Sequence, residues 1–437
     1  MIAFETLLLG IVIGRGPVRL MVAPPVTSVE IRLDRATVVL LHRPPWATNC
    51  DFGPNLLPHQ LTAVGFDAAG HEVGRVTQWV NLGRERGKVS ALLERDPKTR
   101  RPAALSVAWN VTDAAEPQRV VATLDGAPLP VTNPHRIPLP ELDLAQAHLV
   151  SVEVTFTGTL RGRADLALGG DVIESAESEL TAVAVTLPAR QEALDLRSLN
   201  GVFLLNSAPI QPVAVDEGRA EAVLVFDSGT RLVARQGFKE LRGGTDAMDP
   251  AFDRVSVASS IPTQTIDQEG GFRDLFGVST PMRLDRLGNQ VVFMSGAAPT
   301  TSLGDEKVAD AVAVAGAEAA ASNHRRGVVL VLSEAGLKAT VGNRVHDRST
   351  LGIPAVKAYL AALNVPLFVW SLIGQVSGQL PSAWGPAANV STPHRLRKAR
   401  NNLERRLAAQ RIVWFAGRHL PQSITLDETA TRIRLAR

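Results

Sequence analysis

The sequence is sparing in several respects. It has one cysteine, Cys50, so an internal disulfide and a cysteine-rich zinc site are both excluded. It has one tyrosine against 13 phenylalanines and 6 tryptophans. No apolar run approaches the ~20 residues of a membrane-spanning helix, so no membrane span is expected. Charge of one sign is also scarce. Lys plus Arg is 46 and Asp plus Glu is 43, a formal charge of +3 over 437 residues. That excess gives no electrostatic case for a nucleic-acid partner, which needs a clustered basic face. Motifs of chemistry are missing too. There is no phosphate-binding G-x-x-x-x-G-K-[ST]. Ser228 follows Phe226 at the place where a nucleophile elbow needs glycine. The acidic loop GTDAMDPAFD lacks the spacing and closing Glu of a calcium loop, and reads as solvated. Cys50 stands next to Asp51 and reads as a structural thiol.

What is present is an architecture. The first apolar run, Leu7 to Ile13, follows Glu5 with no basic residue before it. It reads as a buried first strand or as a degenerate signal segment, and residues 1–20 are set apart on that account. From 21 to 83 short alternating strands are separated by turn residues, as in an Ig-like β-sandwich. Val29-Glu30-Ile31-Arg32-Leu33 is one such strand and Leu61 to Phe66 another. The pattern returns about 90 residues later. Val120 to Asp125 answers Val29 to Asp34, Leu149 to Phe156 answers Leu61 to Phe66, and Arg163 to Leu168 answers the strand near Trp79. This repeat predicts a second Ig-like sandwich over 102–170, after a charged linker from Arg84 to Arg101. A short β segment follows over 171–219. The histidines of this half, His42, His59, His71, His135 and His148, read as satisfied residues without carboxylate partners.

From 220 to 375 the period changes. Glu221 to Asp227, Val328 to Ser333 and Pro366 to Leu372 are continuous apolar runs, which suit strands buried on both faces. An Ala-rich helix over 304–323 and another over 353–363 alternate with them. That alternation predicts an α/β doubly wound, Rossmann-like sheet, with any ligand at the carboxyl ends of its strands. His324, His346, His394 and His419 show no placed acid partner. The extension 376–437 holds an amphipathic helix, with Leu396, Ala399, Leu403 and Leu407 on one face and Thr392-Pro393 at its start. Trp414 and Phe415 follow it. Adjacent in a strand, they must point to opposite faces, and both are expected to pack.

Three segments carry a family resemblance: VEIRLDRATVVLLHRPPWATNCDFGPNLLPHQLTAVGFDAAGHEVGR, DAVAVAGAEAAASNHRRGVVLVLS and VKAYLAALNVPLFVWSL. With these the chain resembles the acidobacterial von Willebrand factor A-related family, in which β-sandwich segments precede a von Willebrand factor A (vWA) domain. The resemblance implies all-β Ig-like sandwiches followed by a doubly wound vWA domain. It also implies a metal-ion-dependent adhesion site built on Asp-x-Ser-x-Ser, a loop Thr and a strand-end Asp. Asp227 matches the first Asp. Gly229 and Arg231 stand where serines belong, Thr301 (or Thr300) offers the loop hydroxyl, and Ser333 beside Glu334 replaces the strand-end Asp. Two hydroxyl ligands are lost and a guanidinium is introduced, so no metal and no cofactor is expected. The resulting expectation is a non-enzymatic adhesion-type protein at the cell envelope, periplasmic or secreted, with a protein partner. An intracellular scaffold or assembly subunit is the alternative, and a hydrolase the third reading.

Overall fold

The computed structural model describes residues 1–8, 10–83, 88–110, 116–156, 161–170, 172–177, 179–188, 194–227, 253–266, 272–279, 281–288, 291, 306–332, 348–372, 379–380, 382–428 and 433–437. Strands dominate them. Eight sheets stand against three α-helices: α1 (Val308–Ala321), α2 (Ile353–Ala362) and α3 (Pro393–Ala408).

Alternating patterns build the first sandwich. Ala36–Leu41, Ser28–Leu33, His59–Phe66 and Glu72–Val80 form one antiparallel sheet in that order. Ile2–Phe4, Arg15–Val22 and Ala47–Asp51 form the facing sheet. Val29, Ile31, Leu61 and Ala63 meet Val18 and Cys50 in the core between them. Residues 1–20 are therefore part of this sandwich and not a separate segment. The run Leu7 to Ile13, expected as a buried strand or a degenerate signal segment, has its described residues, 7–8 and 10–13, in no strand, and Leu7 is 56% exposed.

The second sandwich repeats the first. Ala127–Leu129, Arg119–Leu124, His148–Thr155 and Arg161–Gly169 lie in the same order as their counterparts, with Val172–Glu177 added at the far edge. The facing sheet is Arg136–Pro138, Pro102–Asn110 and Lys88–Arg95. The charged stretch 84–101, expected as a linker, thus contains an edge strand of this sandwich. The repeat extends to side chains. Asp34 and Asp125 each occupy the first left-handed position of a two-residue hairpin, at φ 51° and 52°. His59 Nδ1 is 2.6 Å from Asp34 Oδ2, and His148 Nδ1 is 2.7 Å from Asp125 Oδ2. The next backbone N–H donates to the other carboxylate oxygen, from Gln60 in one sandwich and Leu149 in the other, both at 2.8 Å. Both histidines therefore have the carboxylate partner that their spacing did not suggest.

A third sandwich is discontinuous. Pro212–Asp216, Gln410–Ala416, Leu180–Thr186 and Arg434–Leu435 make one sheet, and Ala208–Ile210, Phe203–Leu205 and Ile424–Leu426 the other. Val183, Phe203, Val413, Phe415 and Ile424 fill its core. The later strands of the segment 171–219, from Leu180 on, and the last strands of the extension 376–437, from Gln410 on, are thus two parts of one unit. Val172–Glu177 belongs to the second sandwich, and Gln379–Leu380 and Ala387–Asn389 to the inserted sheet described next. Its hairpin Leu205-Asn206-Ser207-Ala208 has the same left-handed pair, at φ 49° and 69°.

Everything between Asp216 and Gln410 is inserted into this third sandwich. Its main sheet runs Met282–Arg283, Arg254–Ala258, Ala220–Phe226, Arg325–Leu332, Leu367–Ser371, Ala387–Asn389, Gln379–Leu380. The inner five strands are parallel and both outer strands antiparallel. α1 and α2 cover one face and α3 the other. Helix α1 lies close because Gly316 has no side chain: a Cβ there would stand 2.1 Å from Leu360 Cδ2. In α3 the side chain of Thr392 accepts the Arg395 N–H at 3.3 Å, and Leu396, Ala399, Leu403 and Leu407 are buried as expected.

The expectation of an α/β doubly wound, Rossmann-like vWA domain is corrected by this arrangement. The chain is predominantly β, and the inserted sheet is mixed. Continuous apolar runs report strands buried on both faces, and that burial does not require regular strand–helix alternation.

Candidate functional site

The resemblance directs attention to the carboxyl ends of the parallel strands. Asp227 lies there, buried, and its backbone N–H donates to Val331 O at 3.1 Å. The ladder pairs Phe226 with Val331, Leu332 with Ser371 and Ser371 with Asn389. Asp227, Ser371 and Asn389 therefore sit at the same end of the sheet. Asn389 Oδ1 accepts the Ser391 N–H at 3.0 Å and its hydroxyl at 2.7 Å, so it closes the turn into α3. Gly229, Arg231, Thr301, Ser333 and Glu334 lie outside the described residues. Asp253, read as part of a solvated loop, accepts the Ala220 N–H at 2.6 Å and Arg325 Nη2 at 3.3 Å. Among the described residues no group of three or more His, Cys, Asp or Glu side chains is arranged to hold a metal ion.

The opposite, amino end of the sheet concentrates charge. In the second sandwich Val152 and Val154 face the core, so Ser151, Glu153 and Thr155 face outward. Across the ladder Ser151 pairs with Asp165, Glu153 with Arg163 and Thr155 with Arg161. On an isolated sandwich this face would be solvated. Here the inserted unit covers it with Arg219, Glu221, Arg254 and His324.

Glu153 is the hub. It accepts from Arg219 Nη2, lies 2.8 Å from His324 Nε2, and has Arg254 Nη1 at 3.6 Å. Arg163 donates to His324 Nδ1 at 2.9 Å, to Ser151 Oγ at 3.0 Å and to Asp165 Oδ1 at 2.8 Å. Arg161 Nη2 donates to Glu221 Oε1 at 2.9 Å and stands 3.8 Å from Glu318. Burial alone would raise the Glu153 carboxyl, but Arg219, His324 and Arg254 together hold it well below the usual carboxylate range. Glu221 behaves the same way. Burial opposes its charge, yet Arg161 and Arg219 bring it down to about 2. The His324 imidazole is pushed well below its ordinary value, first by burial and then by Arg219 and Arg163. It is therefore neutral, with Nε2–H donating to Glu153 and Nδ1 accepting from Arg163. The expectation that His324 has no acid partner is corrected.

A second junction lies beside the first. Arg326 is 1% exposed and has no carboxylate partner among the described residues. Its guanidinium donates to the carbonyls of Ala320 at 3.1 Å, Leu363 at 3.2 Å, Asn364 at 3.3 Å and Ala182 at 3.3 Å. Ala320, Leu363 and Asn364 lie at the C-terminal ends of α1 and α2, where the helix dipoles are negative. Ala182 belongs to the third sandwich. Burial still lowers Arg326 to about 10, well above physiological pH. Arg163 also lies over the Trp414 ring, 5.7 Å from its centroid, so the second and third sandwiches share the charged junction.

None of these residues stood out in the sequence as a site. The available signal was a charge interrupting an apolar run, as Glu153 does in LVSVEVTF and Arg325-Arg326 do before GVVLVL. Cys50 fits its structural reading: it is buried in the first core, and burial pushes its thiol up to about 11. No helix among the described residues is long and apolar enough to cross a membrane.

No family model matches the chain, and no curated protein matches it. Solved structures similar to parts of it include the fibronectin(III)-like modules of Clostridium thermocellum CbhA, at 13% identity and TM-score 0.16, covering 40% of this chain and 97% of that one. The central fibronectin-III array of RIM-binding protein is similar at 10% identity and TM-score 0.20, over 46% of this chain and 81% of that one. A β-glucuronidase from glycoside hydrolase family 2 is similar at 12% identity and TM-score 0.18, over 39% and 20%.

Proposed function

We propose that this protein is a non-enzymatic protein-contact protein, in which three β-sandwiches hold the inserted sheet in a fixed orientation toward a protein partner. The observation that carries this reading is the junction of Glu153 with Arg219, Arg254 and His324. Charged groups taken out of water between two units need defined partners, and Glu153 finds all three of its partners only in this one docking geometry, which fixes orientation more than it adds stability. An orientation fixed in this way suits presentation of a surface. The junction takes the amino ends of the parallel strands, while Asp227, Ser371 and Asn389 lie at the other end, from which the connections after Phe226 and Leu332 begin.

Purification of the intact chain from its native cells, followed by cross-linking mass spectrometry, tests the reading. The expected result is a stoichiometric protein partner with cross-links on one contiguous face. Substrate turnover by the purified chain, with no protein partner recovered, would overturn it.

A further inference from the structure

The first sandwich has an unusual edge. Ala36–Leu41, ATVVLL, ends its four-stranded sheet and, among the described residues, pairs on one side only, with Ser28–Leu33. Val39 and Leu41 pack toward the core. Val38 and Leu40 face outward and are 39% and 47% exposed. Natural edges are usually guarded by lysine, proline, a β-bulge or a very short strand, because an open ladder recruits other strands. This strand has one of these devices, a bulge at Val38, where Ile31 pairs with Val39 and Arg32 with Thr37. These six residues contain no lysine, no proline and no charge.

The charges lie just outside. Arg35, His42 and Arg43 flank the strand and are exposed, and no acidic residue occurs from 35 to 43. Neither arginine makes an ion pair among the described residues. Asp34, next in sequence, is already engaged by His59 and Gln60. This pattern discriminates between occupants. In an antiparallel pairing of two copies, Arg35 of each would meet His42 and Arg43 of the other. In a parallel pairing, each cation would meet its own kind. Like charges opposite one another destabilise paired strands, so the flanks oppose a second copy.

We propose that Ala36–Leu41 receives an extended segment of a partner protein as a fifth strand, with apolar side chains over Val38 and Leu40 and carboxylates at both ends against Arg35 and Arg43. The inference rests on the protein-contact reading above and adds the place and the chemistry of one contact. Main-chain hydrogen bonds supply affinity in such strand addition, and alternate side chains supply selectivity. Both arginines are exposed, so binding should weaken as salt shortens the reach of their charge.

Fluorescence anisotropy on the full chain tests it with two labelled synthetic peptides, Glu-Val-Thr-Val-Thr-Val-Glu and the same sequence flanked by Lys. The expected result is saturable binding of the Glu-flanked peptide, at least tenfold tighter than the Lys-flanked one. The paired substitutions Val38→Thr and Leu40→Thr should weaken it about tenfold at unchanged melting temperature. Arg35→Glu with Arg43→Glu should reverse the preference. Absence of saturable binding, or a preference that the charge swap leaves unchanged, would overturn the proposal. So would sedimentation showing a dimer that Val38→Thr and Leu40→Thr dissolve, since the occupant would then be a second copy. A native partner whose cross-links avoid this edge would overturn the edge assignment and leave the protein-contact reading standing.

Discussion

His324 Nε2 lies 2.8 Å from Glu153 Oε1, although 171 residues separate them in the chain. One belongs to the outward face of a sandwich, the other to the turn leading into a parallel strand. Their meeting fixes the second sandwich on the inserted unit, and it makes stability depend on pH in a definite direction. The folded His324 resists protonation because it is buried and faces Arg219 and Arg163. Its unfolded counterpart titrates at about 6.5. Below that value the unfolded chain takes up a proton that the folded chain refuses, so stability falls as pH falls. The neutral ring's contribution is fully present above pH ~6.5, and about 1.4 kcal/mol is lost one unit below it. Thermal melts at pH 7.5 and 5.5 should show this loss, and His324→Gln should flatten the slope. An equal slope in the variant would contradict the assignment.

Glu153→Gln removes the carboxylate that Arg219, Arg254 and His324 share. The cations stay buried and one countercharge is gone. The expected cost is about 3–5 kcal/mol, as for breaking one side of a buried ion pair. The wild-type carboxyl is depressed below its unfolded value. Its contribution is therefore present above pH ~4.3 and is lost progressively as pH falls from there through the lower folded value. Urea unfolding of the variant at pH 7 measures the first statement, and an acid titration of the wild type the second.

Arg326→Met should destabilise strongly despite adding an apolar side chain to an apolar surrounding. Four carbonyls, of Ala182, Ala320, Leu363 and Asn364, lose the Arg326 donor in the interior, and of these Ala320 O still accepts the Asn323 N–H at 3.2 Å. At roughly 1–3 kcal/mol for each buried group left unsatisfied, a loss of at least about 3 kcal/mol is expected. Arg326→Lys should recover only part of it, since an ammonium cannot fan out to four acceptors. A melting temperature unchanged in Arg326→Met would refute the role.

Asp125→Ala should cost about 1.5–3 kcal/mol, because its carboxylate accepts from the Leu149 N–H and pairs with His148. Asp34→Ala should cost a similar amount, since Asp34 makes the same pair of contacts with Gln60 and His59. Calorimetry of both variants checks the equivalence of the two sandwiches.

Trp414→Ala should cost about 3–5 kcal/mol as a large-to-small core change. Trp414 and Phe415 are 1% and 0% exposed and pack in different cores, on the two faces of one strand. A variant that melts like the wild type would show that the indole does not anchor the outer face of this strand, where it packs with Leu149 of the second sandwich.

Local pattern carried much of this fold. Strict alternation placed Val29 and Ile31 inward, the 90-residue recurrence matched the strand order of the first two sandwiches, and the spacing of Leu396, Leu403 and Leu407 set the buried face of α3. The adjacency of Trp414 and Phe415 required opposite faces, which is where they lie. Each of these is a consequence of backbone periodicity, which acts over a few residues and is written into the sequence itself. The mixed sheet was misread as a doubly wound domain because an apolar run reports burial on two faces and says nothing about strand direction at the edges. The third sandwich was illegible because its halves, Leu180–Thr186 and Gln410–Ala416, pair across an entire inserted unit. The charged junction was hidden by the same alternation that revealed the sandwich: period two assigns Glu153 to the outer face, and outer faces are ordinarily wet. Only the tertiary structure decides that a second unit covers that face, because desolvation and ion pairing depend on which surfaces meet in space.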